Sequence, residues 1–399
     1  PSGASGSLAG PKSLLGYDPV FAREVPDHSD VDFTLAPGQS EDADLGLYID
    51  LTKAHNPQPI RGGTQKPTDP GPRNMAYERI NSDLFLPPNS DAGDVPNAVW
   101  PLGLSHNRHG QAGAGWARQQ NTDELPIATA MAGVDMRLEP YAYRELHWHK
   151  QDEWSLILNG SVRISSVNEA GQTTIDDLVA GDVWFFPAGV PHNIQAKEYG
   201  VEFLLVFDDG SFSEDNTFLV SELFERNPKS VLAKNFRTDV SAFDDLPDGQ
   251  LYIFPGTPLP ANASEQNVTG PAGPIPKEES YTYHFSKQAA YEVPGGSVKI
   301  IDPLNFPIAS NFSAALFTIE PGAMREIHWH TRSDEWSYFI SGIARLTVFS
   351  APESSRTFDF HPGDVGYVPV PNAHYIENVG TEPLVYLEML LAGAYNDIS

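Results

Sequence analysis

Short apolar runs punctuated by glycine and proline dominate the chain and predict β-strands. WSLIL-NG-SVRIS at 154–165 and WSYFI-SG-IARLTVF at 336–349 predict strand pairs around glycine turns, with Asn159-Gly160 as a hairpin turn. GDVWFFPAGVPH at 181–192 and GDVGYVPVPNAH at 363–374 each predict a turn, a strand and a loop that ends on a histidine. The clearest helix signal is NTFLVSELFERNP at 216–228, which has a polar start and a proline end.

The same pattern occurs twice. Arg144-Glu-Leu-His-Trp-His returns as Arg325-Glu-Ile-His-Trp-His, 181 residues later. From the next glutamate onward the offset is 182, so one residue has been inserted after the histidines. The matches at this second offset are Glu153 with Glu335, Gly160 with Gly342, Gly181 with Gly363, Pro187 with Pro369 and His192 with His374. The chain therefore contains two copies of one all-β domain.

Composition divides the chain further. We expect an extended N-terminal arm over 1–90, because this region lacks comparable periodicity, and a linker over the Pro/Gly-rich stretch 255–277. The two β-domains are then predicted at 91–254 and 278–399, each built as a sandwich or jelly-roll barrel with few short helices.

Charge and residue usage exclude several classes of function. There are 25 basic and 53 acidic residues, giving a net charge of −28, so nucleic acids and anionic membranes are excluded as primary partners. The chain has no cysteine, which excludes disulfides and thiolate chemistry, and no apolar run long enough to span a bilayer. Sequons begin at Asn159, Asn262, Asn267 and Asn311, and they favour a secreted, glycosylated protein.

The repeated histidines predict two metal sites. Residues two apart on a strand share a face, so His147 and His149 would point the same way. With a following carboxylate and a distant histidine they form a typical set of metal ligands, and the whole set occurs twice. The predicted ligands are His147, His149, Glu153 and His192 in the first copy and His328, His330, Glu335 and His374 in the second. These donors suit Mn, Fe, Ni, Cu or Zn, and the choice stays open at this point.

The combined motif resembles that of the cupins. H-x-H, a glutamate and a glycine are followed by G-D-x4-P-x4-H in both copies. RELHWHKQDEW at 144–154 and REIHWHTRSDEW at 325–336 resemble the bicupin oxalate decarboxylases, especially their fungal secreted members. The resemblance covers about 98–397, including FDDGSFSEDNTF at 207–218. It implies two manganese ions per chain, oxalate as the substrate, dioxygen as a co-catalyst and a trimeric or hexameric homo-oligomer.

The resemblance also implies roles for residues near the metals. Arg144 and Arg325 would bind and polarise the substrate, although strand alternation puts Arg144 opposite His147 unless a bulge intervenes. Glu214, in the segment 213–216, would be the proton shuttle on a lid over the first site. Glu388 would be the acid near the second metal.

Three functions are left open. The first is decarboxylation of oxalate to formate and CO2. The second is oxidation of oxalate to CO2 and hydrogen peroxide by the same kind of site. The third is a metal-binding bicupin without turnover. A glutamate on the lid favours the first, because it can protonate the carbon that loses CO2.

Overall fold

The computed structural model describes residues 91–266 and 270–399. The predicted N-terminal arm and the sequon at Asn267 lie outside this range. The described chain forms two compact units. Unit 1 comprises 105–289 and 301–313, apart from the three undescribed residues, and unit 2 comprises 91–104, 290–300 and 314–399.

These units are not consecutive in the sequence. The strand Val99–Pro101 pairs with residues 364–366 and so belongs to unit 2, although it lies in the range 91–254 predicted for the first domain. The described part of the stretch predicted as a linker belongs to unit 1, in which Pro274 forms a β-bridge with Thr173 and the Pro260 carbonyl accepts a hydrogen bond from Arg163. The predicted ranges 91–254, 255–277 and 278–399 therefore cut across the units.

Strands are numbered in chain order, and the described part of unit 1 is built on one sheet of eleven of them. Its central path runs β12-β8-β6-β9-β4-β3-β2, with β5, β7, β10 and β11 attached to its sides. The strands are β2 Arg108–His109, β3 Gly115–Gln120, β4 Ala132–Leu138, β5 Tyr143–Trp148, β6 Glu153–Val167, β7 Thr173–Val179, β8 Val183–Phe186, β9 His192–Phe207, β10 Phe218–Leu219, β11 Ile253–Phe254 and β12 Thr282–Tyr283.

Two antiparallel sheets make up the described part of unit 2. Their strand orders are β1-β20-β17-β22-β15-β14-β13 and β16-β21-β18-β19. The strands are β1 Val99–Pro101, β13 Tyr291–Val293, β14 Gly296–Ile301, β15 Ser313–Ile319, β16 Met324–His328, β17 Glu335–Ser341, β18 Ala344–Ser350, β19 Ser354–Phe360, β20 Asp364–Val368, β21 Ala373–Asn378 and β22 Leu384–Leu390. The predicted all-β class is confirmed.

Alternate residues of the strands fill the core of each unit. In β4, Val134, Met136 and Leu138 face inward with the rings of Trp184 and Phe203. Burial of such large apolar side chains is the main stabilising term of a fold of this kind. In unit 2 the fully buried rings include Trp336, Tyr338, Phe339, Phe358, Phe360, Tyr367 and Tyr386.

The prediction of a hairpin turn at Asn159-Gly160 is wrong. The two residues lie inside β6, which continues through them while its pairing with β9 shifts register on either side. Gly160 has φ +81°, and a Cβ there would lie 2.1 Å from the Gly200 carbonyl oxygen. Only glycine allows this close approach, so the signal read as a turn marks a bulged bend within a strand. In the second copy, β17 and β18 likewise belong to different sheets instead of pairing with each other.

The helix predicted at 216–228 is shorter than expected. A 3-10 turn, Glu214–Asn216, comes first, and α1 covers only Val220–Glu225. Between them β10 pairs with β5, and this tertiary pairing overrides the local helix signal. A second helix, α2, follows at Lys229–Phe236. Among the described residues, no helix has both the length and the apolar character needed to cross a membrane.

Candidate metal centres

Each predicted ligand set converges inside its own unit. The ligand atoms of His147, His149, Glu153 and His192 all lie within 4.8 Å of one another, and so do those of His328, His330, Glu335 and His374. All eight residues are buried. Bonds of about 2 Å to a central ion would place ligand atoms roughly 3–4.4 Å apart, which these sets approach.

Strand pairing brings the distant histidine to the H-x-H pair. His147 in β5 faces His192 in β9, and His328 in β16 faces His374 in β21. The register of β5 shifts between Arg144 and His147, so a bulge interrupts the alternation between these residues. The same shift occurs between Arg325 and His328. In a regular strand, Arg144 and His147 would point to opposite faces. The bulge between them allows both side chains to lie on the same face.

Backbone carbonyls fix all six imidazoles in one tautomer. A carbonyl oxygen can only accept a hydrogen bond, so each Nδ1 is the protonated donor and each Nε2 is left as a ligand atom. The acceptors are the carbonyls of Glu145 for His147 (2.6 Å), Gln151 for His149 (2.7 Å), Val190 for His192 (2.8 Å), Glu326 for His328 (2.8 Å), Asn396 for His330 (3.0 Å) and Asn372 for His374 (3.2 Å).

A neighbouring side chain orients each carboxylate ligand. Trp184 Nε1 donates to Glu153 Oε1 over 2.8 Å, which turns Oε2 toward His149 Nε2 at 3.1 Å. In unit 2, Ser337 Oγ donates to Glu335 Oε1 over 2.5 Å, and Oε2 lies 2.7 Å from His374 Nε2. In both centres the glutamate Oε2 is thus the atom turned toward the histidines, but Trp184 orients the carboxylate in the first and Ser337 in the second.

The state of these groups fits a metal ion. His192 Nε2 and His328 Nε2 are buried without a hydrogen-bond partner, a costly arrangement that a metal bond would relieve. Burial, followed by the charge of Arg144, lowers the pKa of His147 well below its usual value. Burial also lowers the pKa of His192 to about 4 and that of His328 to about 3. These three imidazoles are neutral near pH 7, which is the form that binds a metal.

Arg144 and Glu214 form a buried ion pair next to the first centre. Arg144 Nη2 lies 3.1 Å from Glu214 Oε2, and the side chains are 1% and 5% exposed. The Tyr252 ring lies against Arg144, with 4.5 Å between Cζ and the ring centroid. Burial, followed by the negative charge of Glu214, raises the pKa of the Tyr252 hydroxyl well above its usual value, so the phenol stays protonated.

The second centre is covered by residues 391–398. Arg325 forms an ion pair with Asp397, and the Asn396 carbonyl holds His330. The Tyr395 hydroxyl donates to Glu388 Oε1 over 2.8 Å. Burial, with the nearby Glu335 carboxylate, raises the pKa of Glu388 to about 7. The arginine and the acid predicted for this site are thus already engaged by the chain itself.

The sequence did not predict some of the residues at the two centres. Tyr252 and Gln119, whose Oε1 accepts the Glu214 N–H over 3.1 Å, lie far along the chain from the motifs, and no periodic pattern marks them. Asp397 and Tyr395 follow the last strand without a motif. Trp184 stands within the G-D-x4-P pattern, so its position was a usable signal.

Known proteins share this architecture. The cupin family matches residues 103–242 and 283–395. Oxalate decarboxylase OxdC of Bacillus subtilis (strain 168) is 46% identical over 343 residues, which is 86% of this chain and 88% of the relative. The chain belongs to the bicupin oxalate decarboxylase family. Within that family, an oxalate decarboxylase of Arthroderma benhamiae is 37% identical over 371 residues, covering 86% of this chain and 85% of the relative.

Solved structures of this bicupin family agree with the fold. The Bacillus subtilis enzyme at pH 4.6 aligns with a TM-score of 0.81 at 46% identity, over 86% of this chain and 88% of the other. A second structure of that enzyme, from work on its Mn(II) centres, also has a TM-score of 0.81, at 46% identity over 86% of this chain and 90% of the other. The bacterial relative is more similar than the fungal one, so these identities do not single out the fungal members that the resemblance favoured.

Proposed function

We propose that this protein is a manganese-dependent oxalate decarboxylase that converts oxalate to formate and CO2 at its first centre. The observation that carries the proposal is the buried Arg144–Glu214 pair beside a complete set of three imidazoles and one carboxylate. The 46% identical relative of Bacillus subtilis is named an oxalate decarboxylase, and a structure of that enzyme comes from work on its Mn(II) centres. Manganese bound by these ligands would supply a Lewis acid and a one-electron redox partner.

The buried pair divides the work of the reaction between its two members. Arg144 offers a fixed set of N–H donors to the substrate carboxylate. Its positive charge attracts the carboxylate more strongly in a site shielded from water than it would in solution. Glu214 takes the proton of the monoanion of oxalate. When the C–C bond breaks and CO2 leaves, Glu214 returns this proton to the remaining carbon, and a C–H bond forms. Hydrogen oxalate thus becomes formate plus CO2, with atoms and charge balanced and no net oxidation.

Contacts of the second centre with residues 391–398 favour turnover at the first centre. Arg325, which was expected to bind substrate there, forms an ion pair with Asp397. Glu388, the acid expected near the second metal, accepts a hydrogen bond from Tyr395. We therefore assign His328, His330, Glu335 and His374 to a second manganese ion that stabilises its unit. Dioxygen as co-catalyst and a trimeric or hexameric assembly stay predictions.

Secretion with a glycan is a further part of the proposal, and the sequons differ in how well they support it. The Asn262 side chain is exposed. Both Asn262 Nδ2 and Asn311 Nδ2 donate to a carboxylate over 2.9 Å, to Glu265 and Asp152 respectively, but Asn311 is half-buried, and Asn159 lies within β6. We expect Asn262 to carry the glycan and Asn311 to stay unmodified. Mass spectrometry of peptides from the protein secreted by a eukaryotic host tests this, and a glycan on Asn311 without one on Asn262 would contradict it.

Product analysis tests the proposed function. The manganese-loaded protein is incubated with oxalate, and formate, CO2 and hydrogen peroxide are measured. We expect one formate for each oxalate consumed. Two CO2 and one hydrogen peroxide for each oxalate, with uptake of dioxygen, would instead show an oxidase. If no oxalate is consumed, the hypothesis of a metal-binding bicupin without turnover is favoured.

A further inference from the structure

Two neighbouring acids of the segment 213–216 each bind a different arginine. Glu214 pairs with Arg144, as described above. Asp215 Oδ1 lies 2.6 Å from Nη1 of Arg108, a residue of β2 that belongs to no motif of the sequence. Arg108 also lies against the Tyr252 ring, with 4.5 Å between its Cζ and the ring centroid, the same separation as for Arg144. A single buried tyrosine thus contacts both arginines.

The flanks of this segment are held independently of Arg108. On one side the Phe212 ring stacks on Phe207, with centroids 3.5 Å apart, and the Phe212 carbonyl accepts from Asn121 Nδ2. On the other side, Phe218 and Leu219 pair with β5. Between these anchors, the contacts with the rest of the unit include that of the Glu214 N–H with Gln119 and the ion pairs of Glu214 with Arg144 and of Asp215 with Arg108.

Backbone hydrogen bonds attach Tyr252 to Glu145 of β5. Its backbone N–H donates to Glu145 Oε2 over 2.9 Å, and its carbonyl accepts the Glu145 N–H over 2.8 Å. Glu145 precedes His147 on β5, so Tyr252 is fixed to the strand that carries the first metal ligands. A guanidinium resting on the Tyr252 ring is itself oriented, because the cation–π contact restricts the side chain.

We propose that Arg108 is a positioning residue, which rests on Tyr252 and binds Asp215 to hold the segment 213–216 where Glu214 meets Arg144. The inference deepens the proposed function, because it concerns how the acid of that same centre is kept in place. Asp215 is largely exposed, with 78% of its side chain accessible, so the pair is worth little in stability. The Arg108–Asp215 pair acts on the position of the segment 213–216, and we expect the effect of removing the pair to be modest.

Hydrogen exchange tests the position of the segment without relying on activity. In Arg108→Ala and in Asp215→Asn, deuterium uptake of the peptide covering 211–219 should rise by roughly two- to fivefold in rate, the range expected for loss of an exposed ion pair. The double variant should exchange no faster than the single variants, because both substitutions remove one interaction. Lys229→Ala, which removes an exposed pair with Asp244, is the control and should leave the peptide unchanged.

Product partition gives a second readout. If the segment opens more often, Glu214 is absent more often when the proton is needed, so the peroxide share should rise in Arg108→Ala and kcat should fall by roughly two- to fivefold. Arg108→Lys, which keeps the charge, should restore part of the loss. Unchanged exchange in both single variants, or additive effects in the double variant, would overturn the inference. If the unsubstituted protein makes no formate, the proposed function fails, and exchange alone decides the role of Arg108.

Discussion

Single atoms decide whether the two clusters can hold a metal. Each histidine has its Nδ1 proton bound by a backbone carbonyl, and Trp184 or Ser337 fixes one oxygen of each glutamate. The sequence predicted which residues act as ligands because H-x-H on a strand has a defined geometry. It did not predict the carbonyl acceptors, because these depend on the local backbone conformation next to each histidine, including the irregular parts of β5 and β16, and for His330 on the distant Asn396.

Substitution of Glu214 separates proton transfer from binding. Glu214→Gln keeps the size of the side chain and removes its ability to shuttle a proton. A positioned acid–base group contributes about 10²–10⁴ in rate, so formate production should fall by about this factor, and peroxide should rise as a share of product. Glu214→Ala should behave alike. Unchanged formate yield in both variants, at unchanged manganese content, would refute the role of Glu214.

Asp135 in β4 makes stability depend on pH. It is buried, Oδ1 has no hydrogen-bond partner, and burial raises its pKa from 3.8 to about 7 against the opposing charges of Arg118 and Arg137. The folded state therefore holds the proton more tightly than the unfolded state does. The resulting stability is complete below about pH 3.8 and is lost as the pH rises through about 7.

Asp135→Asn removes this titration. The free energy of unfolding of the variant, relative to the unsubstituted protein, should increase between pH 4 and pH 8 by an amount on the order of 2–4 kcal/mol at most. Thermal unfolding at several pH values measures the difference, with the exposed Asp245→Asn as the matched control. Parallel pH profiles for Asp135→Asn and the unsubstituted protein would show that Asp135 does not titrate in this range.

At the scale of elements, the strands were predictable and their connections were not. Apolar runs beside glycine turns, repeated in both copies, identify β6 and β8 and their counterparts β17, β18 and β20, because a strand buried on both faces is apolar along its length. The Asn-Gly signal was misread because a hairpin turn and a bulged bend both require a positive φ. Only the tertiary position of Gly200 distinguishes them. Likewise, the pairing of β10 with β5 shortens a helix that local residues favour.

A comparison of two glycines tests the bend in β6. Gly160 and Gly171 both have a positive φ, +81° and +75°, but a Cβ would lie 2.1 Å from backbone at Gly160 and 3.9 Å from the nearest atom at Gly171. Gly171→Ala should cost about 1 kcal/mol through the backbone alone. Gly160→Ala must also displace the neighbouring strand, so its midpoint of thermal unfolding should be clearly lower. Equal midpoints for the two variants would mean that the close approach is absent.

At the scale of the whole molecule, the repeated ligand sets carry unequal surroundings. Arg144 and Glu214 lie beside the first set, whereas Arg325 and Glu388 are engaged by residues 391–398 at the second. The repeat predicted two matching ligand sets, and the resemblance placed a lid with Glu214 over the first site alone. The sequence could not predict that residues 391–398 engage Arg325 and Glu388, because this segment carries no motif. We therefore expect different tasks for the two ions, although the same types of ligand hold them.

The most direct test is the metal content and formate production of His147→Ala. The remaining three ligands should not hold a weakly binding ion such as manganese. We predict that the variant, purified from cells supplied with manganese, retains about half of the metal bound by the unsubstituted protein and makes no formate from oxalate. Formate production at the unsubstituted rate, in a variant shown to have lost the first ion, would contradict the account and move catalysis to the second centre.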